Sequence, residues 1–177
     1  ALALGVPVVH VHGDTLHDAR NEAVERASTE WVIHLDGDDE LERGFVDRIA
    51  AGSADLRAPA VRYVRNGFEP APIVPKVAGH SHECGAECLP FGNWLVVGTA
   101  VRRQMVLDVG GWRDLPMYED WDLWARCWQA GATAEAIPSA VYRAHVRKGS
   151  RNRGPGRAQR LAAHQLIARD LGLPVPA

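Results

Sequence analysis

Two short apolar runs with a helical pattern between them organise the beginning of the chain. Residues 6–11 are largely β-branched and are followed by Gly13, which indicates a buried strand. Apolar residues then recur at helical spacing over residues 16–27, directly after the capping residue Thr15. Residues 31–35 form a second apolar run and predict another buried strand. A strand, a helix and a strand joined by short turns predict a βαβ unit in a parallel sheet.

Strand and helix patterns continue to alternate along the rest of the chain. Further strands are predicted at residues 61–64, 94–97, 134–137 and 141–145. Further helices are predicted at residues 41–51, 102–109, 119–130 and 158–171. The sequence has no internal repeat and no linker composition, so the pattern predicts a single α/β domain over residues 1–177.

Two segments lack any period and predict loops. Residues 66–90 are rich in Pro, Gly, His and Cys. Long loops in compact domains are often functional, so we expect this one on the acceptor side of a binding site. Residues 146–157 are basic and contain glycine, which predicts a second loop ahead of the C-terminal helix at residues 158–171.

Composition narrows the class of protein. The chain has 177 residues, 46% hydrophobic and 24% charged, which is typical of one globular domain. A net charge of -2 gives no basis for nucleic-acid binding. No apolar run approaches the roughly 20 residues that a membrane-spanning helix needs. The three cysteines, Cys84, Cys88 and Cys127, are too few and odd in number for a disulfide framework, so we expect a reducing, cytoplasmic location.

An acidic loop, Asp36-Gly37-Asp38-Asp39, directly follows the second apolar run. Ligands of open α/β sheets bind in the crevice at the carboxyl ends of the strands. Carboxylates crowded there repel one another, and a divalent cation removes that repulsion because it binds oxygen ligands of this kind. The alternative is a solvated acidic turn that stabilises the start of the next helix. The loop alone leaves both interpretations open.

Two blocks of sequence give the acidic loop a context. The first begins with Ala-Arg-Asn at residues 19–21, passes the small residue Ala27 and an apolar run, and ends in the acidic residues 36–39. The second is Val-Gly-Gly-Trp at residues 109–112, followed by Glu-Asp-Trp at residues 119–121. Their combination resembles the signature of family 2 glycosyltransferases of the GT-A fold. A weaker third match, Tyr-Arg-Ala-His at residues 142–145, extends the resemblance over residues 10–151.

The resemblance implies a Rossmann-like GT-A fold, with a mostly parallel central sheet and flanking helices. It implies an inverting transfer of a sugar from a nucleotide-diphosphate-sugar, with a UDP-sugar expected, to an acceptor hydroxyl on a glycan, lipid or protein. The metal and donor positions of the family's Asp-x-Asp motif correspond to Asp36 and Asp38, and the expected ion is Mn²⁺ or Mg²⁺. His145 corresponds to a metal ligand or pyrophosphate contact, and Arg20 to a residue that faces the nucleotide.

The catalytic pair of the family corresponds to Glu119 and Asp120, with the aspartate as general base toward the acceptor hydroxyl. The chemistry is independently reasonable, because an alcohol is a poor nucleophile until a positioned carboxylate takes its proton. The leaving diphosphate develops negative charge, which a metal stabilises. Arg20 and the basic residues Arg147 and Lys148 are candidates to share that task, since cationic side chains bind phosphate oxygens.

The sequence departs from the family at its start. Family members begin with strands that carry nucleotide contacts, whereas this chain begins at about the third strand, so we expect a fragment, a chain whose missing part comes from another polypeptide, or an N-terminally reduced form. The reduction would leave an open sheet edge, and an open edge favours association. We therefore expect a homodimer or a partner chain that covers this edge. The alternative function is a non-catalytic GT-A-like binding or assembly module that needs such a partner.

Four metal-binding side chain types cluster within the loop at residues 66–90. His80, His82, Cys84 and Cys88 lie close together in sequence and suit tetrahedral zinc. Their spacing is not a standard Cys-x2-Cys pair, so an acceptor-side loop without metal stays open as the alternative. A zinc-stabilised binding domain is accordingly a further candidate for the function of the chain.

Overall fold

The secondary structure is that of a computed structural model, which describes residues 9–77, 80, 83–147 and 156–175 of the chain. Its described helices are α1 (Leu16–Arg26), α2 (Phe45–Ala50), α3 (Arg103–Asp108), α4 (Glu119–Gln129) and α5 (Arg157–Asp170), with a 3-10 helix at Ala86–Phe91. Its described strands are β1 (Trp31–Ile33), β2 (Glu40–Leu41), β3 (Leu56–Val64), β4 (Ala100–Arg102) and β5 (Ala134–His145).

The five described strands form one mixed sheet in the order β1-β4-β3-β5-β2. Only β3 and β5 run parallel, whereas β1–β4, β4–β3 and β5–β2 are antiparallel. The expected mostly parallel sheet is therefore wrong. A parallel pair needs a long crossover, and the segment between β3 and β5 provides one, since it contains α3 and α4. The expected βαβ unit is not seen among the described residues, because residues 9–11, the described part of its first strand, are not in a strand.

The central pair of strands is longer than the sequence pattern predicted. The strand expected at residues 61–64 begins at Leu56, and the two expected at residues 134–137 and 141–145 are joined in β5. The pairing skips from Pro59–Ile137 to Ala60–Val141, an irregularity that includes Pro138. Proline has no backbone N–H to donate to a ladder, which explains why the sequence pattern breaks there although the strand continues.

Three expected elements differ from the structure. Residues 94–97 form no strand, because the Asn93 side chain accepts from the Leu95 N–H and the Thr99 hydroxyl accepts from the Val96 N–H. Of the strand expected at residues 6–11, the described part is not in a strand. The helix expected at residues 41–51 shortens to α2, because β2 and a left-handed Gly44 precede it.

The expected helices at residues 16–27, 102–109, 119–130 and 158–171 are confirmed to within two residues at each end. At the start of α1 the Thr15 side chain accepts from the Asp18 N–H, as its position in the sequence predicted. The basic loop expected at residues 146–157 lies mostly outside the described residues. None of the described helices combines the length and the apolar character needed to cross a membrane.

The core packs large aromatic side chains behind one end of the sheet. Four tryptophans are almost fully buried: Trp94, Trp112, Trp121 and Trp124. Helix α4 also buries the carboxylate of Asp122, which accepts hydrogen bonds from Arg113 and Arg126. A buried carboxylate needs such partners, because an unpaired buried charge is strongly destabilising. This packing fixes the first turn of α4, and the candidate site lies at that turn.

Strands β1 and β2 lie at the two edges of the described sheet. Trp31 at the start of β1 lies between two arginines, with the Arg57 guanidinium 3.8 Å and the Arg102 guanidinium 4.7 Å from its ring. The association through a sheet edge that the sequence suggested stays a prediction.

Candidate active site

A cleft of about 330 Å³ opens where the acidic loop, α1 and the first turn of α4 meet the sheet. Its polar lining includes Arg20, Asp36, Glu119 and Asp120, which the sequence analysis selected from three separate segments. The chain brings them together because β1 ends at the acidic loop while α1 and α4 pack beside it. The cleft, which Asp39 also lines, thus combines one cation with four carboxylates from distant parts of the sequence.

Arg20 is the cation at the centre of this group and is 8% exposed. Its guanidinium donates to Asp36 Oδ1 at 2.9 Å and to Glu119 Oε1 at 3.4 Å. It also stacks on Trp112, with its central carbon 4.2 Å from the ring centroid. Arginine is suited to this position, because a planar fork can bind carboxylates while its face lies on an aromatic ring. One side chain therefore joins the acidic loop to α4.

A turn at the end of α3 holds Trp112 in place beneath Arg20. The Asn21 side chain donates to the Trp112 carbonyl at 2.9 Å and accepts from the Trp112 N–H at 2.7 Å. Gly111 makes this possible, since its φ is +70° and a Cβ there would lie 2.4 Å from Asn21 Oδ1. The Ala-Arg-Asn and Gly-Gly-Trp segments of the sequence thus form a single packing unit.

Asp120 lies in the first turn of α4 and lines one side of the cleft. Its carboxylate accepts from the Asn93 side chain at 2.9 Å and from the Trp121 N–H at 2.8 Å. Burial and the nearby Glu119 carboxylate raise the pKa of Asp120 to about 6, against the opposing effect of the Trp121 and Asn93 hydrogen bonds and of Arg20. A carboxyl group with this pKa is ionised at neutral pH yet is a stronger base than an ordinary aspartate.

Asp39 serves the structure of the acidic loop. One of its carboxylate oxygens accepts from the Tyr142 hydroxyl at 2.6 Å, and the other accepts from the His145 N–H at 2.8 Å. The Tyr142 ring lies against Gly98, where a Cβ would lie 2.1 Å from the ring. Asp39 therefore ties the loop to β5 while it lines the cleft together with Asp36, and Asp38 is exposed to solvent.

The remaining residues predicted for the donor end lie around Asp38. The Arg147 guanidinium is 3.7 Å from Asp38 Oδ2, and both side chains are well exposed. His145 Nε2 is 3.3 Å from Glu40 Oε1 and has no hydrogen bond of good geometry among the described residues. Lys148 lies outside the described residues. The surroundings of Asp38 therefore carry charges of both signs.

The acidic loop fits a hard divalent cation by its chemistry. The Asp36 and Asp38 carboxylates are 44% and 46% exposed, and carboxylate oxygens are what Mg²⁺ and Mn²⁺ prefer. Within the described residues, however, Asp36, Asp38 and His145 do not converge as three ligand atoms around one point. The loop suits an ion that takes one or two protein carboxylates and completes its shell with phosphate oxygens and water.

The structure adds polar groups to the site that sequence reasoning missed. Asn93 lies just beyond the loop at residues 66–90, and Tyr63 lies on β3 opposite it in the cleft. His34 accepts from the Trp112 indole N–H at 3.1 Å, while burial and then Arg20 lower its pKa to about 4. His34 is therefore neutral beside Arg20. The sequence pattern could have indicated this residue, because His34 interrupts an apolar run directly before the acidic loop.

The predicted zinc residues form a separate cluster. The ligand atoms of His80, Cys84 and Cys88 all lie within 4.8 Å of one another, whereas His82 lies outside the described residues. The His80 Nδ1 to Cys88 Sγ distance is 3.7 Å. Burial, with the adjacent Cys84 thiol, raises the pKa of Cys88 to about 12, so this thiol is a poor nucleophile.

Comparison with solved structures identifies the type of fold. The chain has a TM-score of 0.57 to S. aureus TarS 1–349 in complex with UDP-GlcNAc, at 17% identity over 95% of this chain and 50% of that chain. It has a TM-score of 0.53 to GalNAc-T7 with UDP, GalNAc and Mn²⁺, at 16% identity over 76% of this chain and 31% of that chain. Both are glycosyltransferases of the GT-A fold. No protein-family model and no curated protein match the sequence.

These likenesses establish the fold alone. The described chain is a mixed α/β structure similar to GT-A glycosyltransferases, and it spans half or less of the length of these two structures. Membership of family 2 in particular stays a prediction, as does the Rossmann-like description of the sheet.

Proposed function

We propose that this chain is the core of an inverting glycosyltransferase that moves a sugar from a nucleotide-diphosphate-sugar to an acceptor hydroxyl. The observation that carries the proposal is the cleft in which Arg20, Asp36, Glu119 and Asp120 converge. The fold supports it, because similar structures bind UDP and UDP-GlcNAc. The expected donor is a UDP-sugar, and the acceptor is a glycan, lipid or protein that presents a hydroxyl.

Asp120 is the proposed general base. It lies on the deep side of the cleft, is fixed by Asn93, and has a pKa raised toward neutrality. It would accept the proton of the acceptor hydroxyl as that oxygen attacks the anomeric carbon, and a base of this kind contributes roughly 10²–10⁴-fold in rate. Attack opposite the leaving group inverts the anomeric centre. Glu119 contributes by holding Arg20 and by raising the pKa of its neighbour.

Asp36, Asp38 and His145 form the proposed donor end. Asp36 and Asp38 would hold Mn²⁺ or Mg²⁺, which supplies Lewis-acid stabilisation of the diphosphate leaving group. Arg147 lies beside Asp38 and is exposed, and its guanidinium is proposed to bind phosphate oxygens there, since Arg forks match phosphate geometry. Arg20, and Lys148 of the adjacent basic loop, are proposed to add positive charge on the same side.

The rival interpretation is a non-catalytic module with the same fold. A module that only binds has no use for a carboxylate with a raised pKa at the bottom of a polar cleft. Strongly perturbed carboxyl groups in clefts favour catalysis, although buried ion pairs also perturb pKa values. Asp120 therefore favours the enzyme over the module.

A donor panel tests the proposal. The chain is incubated with UDP-, GDP- and dTDP-sugars with Mn²⁺ or Mg²⁺, and released nucleotide diphosphate is measured with and without simple sugar acceptors. We expect metal-dependent release with at least one donor. Asp38→Ala should abolish metal-dependent donor binding, whereas Asp120→Asn should keep binding and lose transfer.

Asp47→Asn is the matched control, since Asp47 is an exposed aspartate on α2 away from the cleft. It should retain full activity. Product NMR would give the anomeric configuration and so test the inverting assignment. Full activity of both Asp38→Ala and Asp120→Asn would refute the mechanism, and metal-independent donor binding without any turnover would favour the binding module.

A further inference from the structure

A cluster of zinc-type ligands lies outside the cleft and is not needed for the proposed function. It consists of His80, Cys84 and Cys88, which follow one another at intervals of four residues. Within the described residues it is the only group of three or more potential ligand atoms that lie this close together. Cys88 is fully buried, Cys84 is 9% exposed and His80 is partly buried. The three side chains thus meet under the surface.

The geometry of the cluster is close to that of a tetrahedral zinc site. With Zn–S near 2.3 Å and Zn–N near 2.1 Å, a tetrahedral ion separates sulfur from nitrogen by about 3.6 Å and two sulfurs by about 3.8 Å. The His80 Nδ1 to Cys88 Sγ distance is 3.7 Å, and the whole set lies within 4.8 Å. Two thiolates and an imidazole are soft and borderline ligands, which favour zinc over the hard cations suited to the acidic loop.

The backbone around the cluster connects it to the catalytic side of the cleft. The Trp94 indole donates to the Gly85 carbonyl at 3.0 Å, and the Trp121 indole donates to the Leu89 carbonyl at 2.8 Å. Trp94 follows Asn93, whose side chain holds Asp120, and Trp121 follows Asp120 itself. Any ion that fixes the Cys84–Cys88 turn would therefore also fix Asn93 and Trp121, the two residues that donate hydrogen bonds to the Asp120 carboxylate.

We propose that His80, Cys84 and Cys88 bind a structural Zn²⁺ that anchors residues 83–94 against α4. These three residues would supply three of the four ligands of a tetrahedral ion, and water would complete its shell. The ion would stabilise the wall that carries Asn93, in a position separate from the Asp36 and Asp38 end of the cleft. Its role is structural, since the cluster does not line the cleft.

Metal content tests the proposal without any donor sugar. The chain is loaded with Zn²⁺, dialysed against zinc-free buffer with a weak chelator, and measured by mass spectrometry of the metal. We expect about one zinc per chain. A cobalt-loaded sample should show thiolate-to-cobalt charge-transfer absorption. Cys84→Ser and Cys88→Ser should each lower retained zinc at least tenfold, and His80→Ala should weaken its retention.

Cys127→Ser is the matched control, because Cys127 is an equally buried thiol on α4 outside the cluster. It should retain zinc. Should the cluster variants fail to fold, titration of the wild-type chain with a mercurial reagent replaces them, and zinc release should follow modification of two thiols. No retained zinc in the wild type, equal zinc in all variants, or a Cys84–Cys88 disulfide in place of zinc would each overturn the proposal. Because no donor is present, none of these results depends on the proposed glycosyl transfer.

Discussion

Replacing Asp120 with asparagine should stabilise the fold while it removes the proposed transfer activity. The substitution keeps the shape of the side chain, and the amide oxygen can still accept from the Trp121 N–H, but the hydrogen bond from the Asn93 amide is lost. What it removes is a carboxylate that burial and Glu119 make costly to ionise in the folded chain. Active sites often contain groups of this kind, which are retained for function at a cost in stability.

The pKa of Asp120 sets the size of this effect. A rise from 3.8 to about 6 corresponds to about 3 kcal/mol, at about 1.4 kcal/mol per pKa unit. Solvent screening of the partly exposed side chain and the lost Asn93 hydrogen bond together reduce the expected gain to about 1 kcal/mol at pH 7.5. Because the pKa is higher in the folded state, ionisation destabilises the wild type as the pH rises through that value. The difference between variant and wild type should therefore shrink to about 0 kcal/mol near pH 4.5.

Urea denaturation followed by tryptophan fluorescence measures this difference, with both proteins studied at pH 7.5 and pH 4.5. Asp47→Asn serves again as the control, since it removes an exposed charge and should change the free energy of unfolding by less than about 0.5 kcal/mol. The reasoning would be refuted if Asp120→Asn were less stable than the wild type at pH 7.5, or if the gain were the same at both pH values.

Three further predictions follow from the packing. Gly111→Ala should destabilise the fold by about 1–2 kcal/mol more than Gly110→Ala, because both have positive φ but only Gly111 faces the Asn21 side chain; thermal unfolding compares them. Asn93→Ala should move the acid limb of the kcat/KM profile to higher pH, since its amide hydrogen bond lowers the pKa of Asp120; an unmoved limb would contradict this. Asp122→Ala should cost about 3 kcal/mol or more in urea denaturation, because it leaves two arginines without their shared carboxylate.

The local elements could be predicted because local interactions determine them. Helix α1 has its capping residue Thr15 and α4 its stop signal Gly131 within the sequence, and both helices have an apolar period and were found within two residues at each end. The sheet could not be predicted in the same way. Strands that are neighbours in the sheet, such as β1 and β4, are separated in the sequence by the long segment 34–99. A local sequence pattern does not indicate which distant strands pair.

The residues of the candidate site also divide into those that sequence motifs predict and those that they do not. Arg20, Asp36, Glu119 and Asp120 belong to short motifs, so the sequence could name them before their convergence was known. Asn93 belongs to no motif, because a single asparagine in an irregular segment carries no local signal. Its importance comes only from the turn at residues 93–99, whose side chains replace a strand ladder and direct its amide at Asp120.

The bridging position of Arg20 has a consequence for the timing of the proposed reaction. One guanidinium donates hydrogen bonds to both Asp36 and Glu119, so the same positive charge stabilises carboxylates at the two ends of the cleft. A diphosphate that attracts this group toward the acidic loop would leave less positive charge near Asp120, whose pKa should then rise. The base would become stronger only once the donor had arrived, which would discourage wasteful proton abstraction in its absence. A higher acidic pKa in the kcat profile than in the kcat/KM profile for the donor would be the sign of this coupling, and coincident values would exclude it.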